Sequence, residues 1–269
     1  RDDITLLLMP AWNGAGDFGV KLAAIARSNA ARGLPTLNGV YVLFDGQTGI
    51  PRAVLDAGAL TARRTAAASA LAARTLSRPD SRTLFVIGTG RVARELIAAH
   101  CAVRPIETVR VWGRNTDHAR EACEAASQAT GVDCRPVADI ERGARGADIV
   151  SAAVPSTAPL LEARHLAHGM HIDLVGAFTQ AMCEAAPDVI EKADRVFIDT
   201  MEGALDEAGD LLQAAAAGVF SFDDVAGDMF EMAAATGPLR GGAQEITLFK
   251  SVGTALQDLA AAQLCLQRP

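Results

Sequence analysis

No stretch of this chain holds the roughly 20 consecutive apolar residues that a membrane-spanning helix needs, although 50% of its 269 residues are hydrophobic. Nor is there an excess of basic charge. Lys and Arg number 25 against 32 Asp and Glu, a formal net charge of −7, which argues against nucleic acid or an anionic membrane as partner. The five cysteines (101, 123, 134, 183 and 265) include no CxxC pair, and an odd number of scattered thiols predicts a reduced, cytoplasmic protein. The opening "RDDITLLLMPAWNG" has acids where a signal peptide has its basic region, and its apolar stretch is too short for one. It has no initiator Met and turns strand-like at once, so a further N-terminal segment is expected to precede it. Neither repeats nor low-complexity linkers occur. What remains is a globular composition, long enough for one large or two medium domains.

Two periodicities organise the rest. Short strands are expected at 4–9, 19–26, 39–44 and 50–55, with turn chemistry in "FDGQTG" (44–49) between the last two. Neighbours so close in sequence pair antiparallel, because parallel neighbours need a long crossover. A helix follows in "ALTARRTAAASALAARTLS" (59–77), rich in Ala, Leu and Arg and free of Gly and Pro. From about 83 the strands "TLFVIG", "TVRVWG", "DCRPV", "ADIVSAAV", "MHIDLVG" and "RVFIDT" alternate with helix-like segments at 91–102, 116–130, 139–146, 159–167 and 183–192. That alternation predicts an α/β fold, a Rossmann-type doubly wound parallel sheet. The tail "SVGTALQDLAAAQLCLQ" predicts a final amphipathic helix with Val252, Ala255, Leu256 and Leu259 on one face, returning to the N-terminal strands. The expected division is a smaller α+β domain from 1–78 with 246–269, and the doubly wound domain over 79–245.

"LFVIGTGRVARELIAAH" is a strand, then Gly88-Thr89-Gly90-Arg91-Val92-Ala93, then a helix. This is G-x-G-x-x-A in its proper context. Gly88 permits a tight turn, Gly90 lets backbone approach a pyrophosphate, and Ala93 keeps helix and strand close, with the helix N-terminus attracting the anion. An NAD site places an acid roughly 20 residues beyond that loop. Here the next strand runs out through Trp112, Gly113, Arg114, Asn115 and Thr116, and the first acid is Asp117. Arg114 suits a 2′-phosphate, which an acid would repel; the alternative is a solvated surface charge. NADP(H) is therefore the preferred cofactor, with NAD(H) allowed, and Arg114 and Asn115 join Gly88, Thr89, Gly90, Arg91 and Val92 as cofactor-binding candidates. "PSTAP" (155–159) ends a strand at the carboxyl edge where such sheets bind ligands. Ser156 and Thr157 either touch the nicotinamide ribose or form a plain turn. Val175 and Gly176 are expected beside the nicotinamide by the same geometry.

Several stretches resemble one family, ornithine cyclodeaminase/mu-crystallin: "LLLMPAW" (6–12), "GVKLAAIARSNAARGLPTLNG" (19–39), "LFDGQTGIPRAVLDAGALTARRTAAASALAA" (43–73), "GTGRVA", "VWGRN", "GADIVSAAVPSTAPLL" (146–161) and "EITLFKSVGTALQDLAAA" (245–262). The resemblance implies a two-domain NAD(P)-dependent enzyme, usually a homodimer. The terminal segments would form the substrate and dimerisation domain. The shared chemistry is hydride exchange between nicotinamide and the alpha carbon of an amino or imino acid. It also implies that Lys21, in "GVK", is the active-site lysine, that Arg64, in "TARRT", binds the substrate carboxylate, and that Met9 lines the substrate. The chemistry agrees: a guanidinium fork suits a carboxylate, and a lysine can protonate C=N. A second carboxylate-binding arginine usually precedes the MP dipeptide by a dozen residues, and Arg1 is too close to Met9 to fill that place.

Two departures from ornithine cyclodeaminase stand out. Its aspartate after the strand matching "HIDLVGA" is replaced by Phe178, and its acid just before MP is replaced by Leu6, Leu7 and Leu8. An apolar wall cannot satisfy a buried ammonium, so ornithine is disfavoured and a substrate with an apolar or cyclic side chain is expected against Phe178. The spacing of His165, His168 and His171 crosses into a strand and predicts no metal site. Glu202, Asp206, Glu207 and Asp210 read as a solvated helix face, and no cysteine has a histidine and acid to make it a nucleophile. The expected activity is reduction of a ketimine, or of an imine formed from a 2-oxo acid and an amine. The alternatives are ornithine cyclodeamination to proline and ammonia, or an NADPH-dependent binding protein with little turnover.

Overall fold

The structure, a computed structural model, describes residues 4–14 and 16–267; Arg1 lies outside the described residues. In chain order the elements are β1 (Ile4–Trp12), β2 (Phe18–Ala26), β3 (Leu37–Phe44), β4 (Pro51–Asp56), α1 (Ala57–Leu76), β5 (Thr83–Ile87), α2 (Arg91–Val103), β6 (Thr108–Trp112), α3 (Thr116–Thr130), β7 (Asp133–Pro136), α4 (Ile140–Ala144) and β8 (Ile149–Ala152). They continue as β9 (His171–Leu174), α5 (Pro187–Lys192), β10 (Arg195–Ile198), α6 (Met201–Glu207), α7 (Gly209–Ala216), β11 (Val225–Gly227), α8 (Met229–Ala234), β12 (Thr247–Lys250) and α9 (Ala255–Gln267). No described helix is long and apolar enough to cross a membrane. The chain divides into two compact units, Arg1–Arg64 with Thr254–Pro269, and Thr65–Gly253.

The first unit is an antiparallel sheet in the order β1-β2-β3-β4 with α9 against it. Its last turn forms because the Asp45 carboxylate accepts from the Gln47 and Thr48 amides and the Thr48 hydroxyl, while Gly49 takes a left-handed φ of 70°. One face of the sheet packs Ala11, Tyr41 and Leu43 against Leu60, Leu259 and Ala262. The other face is open and apolar: Leu6, Leu8, Trp12 and Val54 are 65%, 62%, 75% and 65% exposed. The buried stripe of α9 is Asp258, Leu259 and Ala262. The expected stripe through Val252 and Leu256 is corrected, since Val252 precedes the helix and Leu256 is exposed.

The second unit is an eight-stranded, wholly parallel sheet in the order β11-β10-β12-β9-β8-β5-β6-β7. The chain builds outward from β5 through β6 and β7, then returns to the other side of β5 with β8, so the strand order reverses beside β5. This is the expected doubly wound sheet, with β11 and β12 added. β12 inserts between β9 and β10 with all four residues buried. The division expected at 78/79 and 245/246 therefore differs from the observed one: the first crossing falls inside α1, and β12 belongs to the parallel sheet. Two expected helices also shrink. Of 159–167 only a short turn at Ala163–His165 is helical. Residues 183–186 are not helical, because their amides go to Ser156 and Leu161 carbonyls and to Asp210, and α5 begins at Pro187, a residue suited to the first turn.

Candidate active site

In the first unit, strand register fixes the site. Met9 lies opposite Lys21 across β1 and β2, and Lys21 opposite Tyr41 across β2 and β3, so all three share the inner face of the sheet. Lys21 is buried there, and Arg64 is buried on α1. What joins them is Asp258 of α9, itself fully buried: Lys21 Nζ is 2.7 Å from Asp258 Oδ2, and Arg64 Nε donates to Asp258 Oδ1 at 3.0 Å. Arg64 Nη1 donates to Gln257 Oε1 at 2.8 Å. Burial, and then the Arg64 charge, lower the Lys21 pKa, while Asp258 pulls it back up. The Tyr41 hydroxyl is pushed up to about 12 by burial and by Asp258, so it stays a phenol.

Two cations and one carboxylate leave one positive charge on a largely dehydrated face. A carboxylate ligand matches that remainder, and a protonated Lys21 beside it can give up its proton. The motifs led to Lys21 and Arg64; Asp258 was missed, although an acid set among Ala255, Leu259 and Ala262 at helical spacing was the available signal. The expected apolar wall of three leucines is corrected by the pleat: Leu7 shares the Lys21 face, whereas Leu6 and Leu8 point to the opposite, open face.

The second unit carries the other candidates. Gly88 follows β5 with φ of 128°, and a Cβ there would sit 2.8 Å from the Ala153 carbonyl, so only glycine fits. A Cβ at Gly90 would meet nothing within 4 Å. Gly90 caps α2 without a side chain, and the first turn of α2 holds no acid. The first-turn amides of α2 have no intrahelical acceptor, and with room beside Gly90 and no acid in that turn, the Thr89–Val92 stretch fits a pyrophosphate. Arg114 is exposed beyond β6 and makes no ion pair or hydrogen bond among the described residues. Asn115 is committed to α3, where its side-chain oxygen accepts from the Asp117 and His118 amides.

Along the carboxyl edge, the Ser156 hydroxyl is engaged with Ala158 in its own turn, and Thr157 is exposed. Val175 packs against Ala66 and Leu96, its amide closing the ladder on the Ala152 carbonyl, and Gly176 lies next to it. Phe178 is half-buried two residues on. The structure thus gathers Met9, Lys21 and Arg64 in one unit, and Phe178 with the nucleotide candidates in the other. The three histidines part: His165 accepts from the Glu162 amide, His168 is exposed, and His171 is buried beside Thr247. Asp210 is not on a solvated face as expected. It is 1% exposed and pairs with Lys250 at 2.8 Å, because α7 starts against β12, a strand the apolar pattern did not reveal.

A model of the ornithine cyclodeaminase/mu-crystallin family matches residues 1–268. A Δ1-pyrroline-2-carboxylate reductase of Paracoccus denitrificans is 36% identical over 259 residues, covering 96% of this chain and 81% of that protein. The structure of the Thermococcus litoralis Δ1-pyrroline-2-carboxylate reductase in complex with NADH and L-proline matches with a TM-score of 0.89 at 28% identity, over 99% of this chain and 87% of that one. An archaeal alanine dehydrogenase dimer with bound NAD gives 0.90 at 28% identity, over 99% and 82%.

Proposed function

The chain belongs to the ornithine cyclodeaminase/mu-crystallin family, and from that premise we propose that it is a nicotinamide-dependent reductase of an imine whose carbon bears a carboxylate, a cyclic imine of the Δ1-pyrroline-2-carboxylate kind foremost. The observation that carries this reading is the buried Lys21–Asp258–Arg64 cluster, with its single surplus positive charge. Arg64 holds the substrate carboxylate with the donors its guanidinium has beyond the Asp258 and Gln257 contacts. Lys21 Nζ gives a proton to the imine nitrogen, and Asp258 keeps it charged against the burial that would strip it. The reduced nicotinamide, when bound, supplies a hydride to the imine carbon, which with the Lys21 proton converts C=N to CH–NH. The Gly88–Val92 loop and the start of α2 hold the pyrophosphate, with Val175, Gly176, Ser156 and Thr157 toward the nicotinamide.

Leu7, Met9 and Ala11 give the Lys21 face of β1 no acid to meet a distal ammonium, which favours a cyclic imine over ornithine. Arg114 supports a preference for NADP(H) with NAD(H) accepted, and the open apolar face of β1–β4 supports a homodimer. The test is nicotinamide oxidation with five- and six-membered cyclic imino acids and with 2-oxo acids plus an amine, set beside ammonia release from L-ornithine. Turnover of a cyclic imino acid is expected. Silence across the imines, or ammonia release with catalytic NAD, would overturn the reading.

A further inference from the structure

At the carboxyl edge of the parallel sheet, the β8–β9 ladder ends with the Val175 amide donating to the Ala152 carbonyl at 3.0 Å. Just beyond, a carboxylate takes the place of strand pairing. Glu184 Oε1 accepts from the Val154 amide at 2.8 Å and Glu184 Oε2 from the Gly176 amide at 2.6 Å. A Cβ on Gly176 would collide with that carboxylate and with the Val154 backbone, so the close approach requires glycine. The Glu184 main chain fastens the same loop again: its carbonyl accepts from the Leu160 and Leu161 amides at 2.8 and 3.0 Å, and the Cys183 amide donates to the Ser156 carbonyl at 2.9 Å. Behind it, Asp210 Oδ1 accepts from the Glu184 and Ala185 amides at 2.6 and 3.0 Å, and Asp210 Oδ2 lies 2.8 Å from Lys250 Nζ. Glu184, Asp210 and Lys250 are all buried.

We infer that Glu184 is a positioning residue for the nicotinamide: its ionised carboxylate, backed by Asp210 and Lys250, sets the spacing of the Val154 and Gly176 backbones and with it the loops 154–158 and 175–178. The inference rests on the cofactor reading above. A doubly wound sheet binds its ligand over the carboxyl ends of strands beside the point where strand order reverses, which is where Val154 and Gly176 follow β8 and β9. Both oxygens must accept. A protonated carboxyl, or an amide, turns a donor toward one of the two amides and loosens the clamp. The groups facing Glu184 are Lys250 from β12, Asp210 from α7 and the Cys183 thiol beside it; the segments that follow β8 and β9 offer it the backbone N–H groups of Val154 and Gly176. Burial pushes the Glu184 pKa up to about 8, against the pull of Lys250, so the clamp tightens as pH rises through that value.

The experiment titrates NADH and NADPH into the intact protein by fluorescence on both sides of pH 8, with melting curves alongside. Wild-type affinity is expected to strengthen as pH rises. Glu184→Gln should weaken binding about tenfold above that pH, the scale of one lost charge-assisted hydrogen bond, and flatten the profile. Lys250→Met should move the wild-type limb to higher pH, because the ionised carboxylate loses its counter-charge. A Glu184→Gln protein with lowered melting temperature but wild-type affinity and pH profile would make the residue structural only and overturn the inference. If that variant does not fold, an unmoved limb in folded Lys250→Met overturns it. A wild type that binds neither nucleotide overturns the functional reading, and this inference with it; wild-type binding without imine turnover overturns only the former.

Discussion

Lys21 and Arg64 carry their charges to sites that are 3% and 7% exposed, and an unpaired cation at such depth costs several kcal/mol. Asp258 meets both. Asp258→Asn keeps its shape and removes its charge, leaving Lys21 with burial and the Arg64 repulsion and nothing to oppose them. The Lys21 pKa then falls further. The proposed proton step draws on the ammonium form, so the high-pH limb of kcat should shift to lower pH by about one unit or more; a folded variant whose limb stays put would remove Lys21 from the proton step. Arg114 makes a separate prediction. Arg114→Asp should raise the Kd for NADPH about tenfold or more, the worth of a charge-assisted contact, and leave NADH binding unchanged; equal weakening of both would assign the arginine to the surface. At this scale the sequence was uneven. Lys21 and Arg64 were reachable only through their motifs. Asp258 had no motif, only its helical spacing among apolar residues, and the buried acids Asp210 and Glu184 read as surface charge until their partners are known.

Between elements, the second unit is bound by a polar core. Asp173 of β9 accepts from Ser151 of β8 at 2.5 Å and from Ser69 of α1 at 2.9 Å, with His100 of α2 at 3.3 Å. Next to it, His171 Nδ1 lies 3.0 Å from Thr247 Oγ1 on β12. That hydroxyl donates to the Leu76 carbonyl at the end of α1, so His171 is the donor in its pair and carries its proton on Nδ1. Burial drives its pKa down to about 3. The folded value lies below the unfolded one near 6.5, so the stability it contributes is complete above about pH 6.5 and is lost as pH falls toward 3, at about 1.4 kcal/mol per pH unit in that window. Urea midpoints should decline across it, and His171→Gln should flatten the slope; an unchanged midpoint down to pH 4 would refute the linkage. The elements that were legible are those whose own pattern is unambiguous. The Ala-Leu run of α1 and the apolar runs of β5, β8 and β9 needed no partner to be recognised. β12 was not, because four residues ending in Lys look like the edge of a loop, and their burial comes from β9 and β10. Residues 183–186 read as helix from the sequence for a related reason: their hydrogen bonds go to distant residues, which local periodicity does not record.

For the whole molecule, the acidity that argued against nucleic acid also bears on assembly. A net charge of −7 makes two copies repel, so a dimer must be held by burial of apolar surface. The open face of β1–β4 offers that surface. Leu8, Leu22 and Val40 lie abreast across three strands, with Trp12 exposed and the Phe18 and Phe44 rings stacked at 5.0 Å at one end. An apolar patch of this kind is suited to an interface, and a sheet face pairing with its own copy through a two-fold axis buries each residue twice. Leu8→Glu therefore places two carboxylates in the interface. At about 2 kcal/mol for each buried unpaired polar group, the proposed dimer should weaken by roughly a thousandfold, and light scattering should find dimer for the wild type and monomer for the variant. The nucleotide candidates belong to the other unit, so NADPH affinity per chain should survive the change and show that the variant is folded. A wild type that is monomeric at micromolar concentration would leave this apolar face without its partner and the homodimer without support.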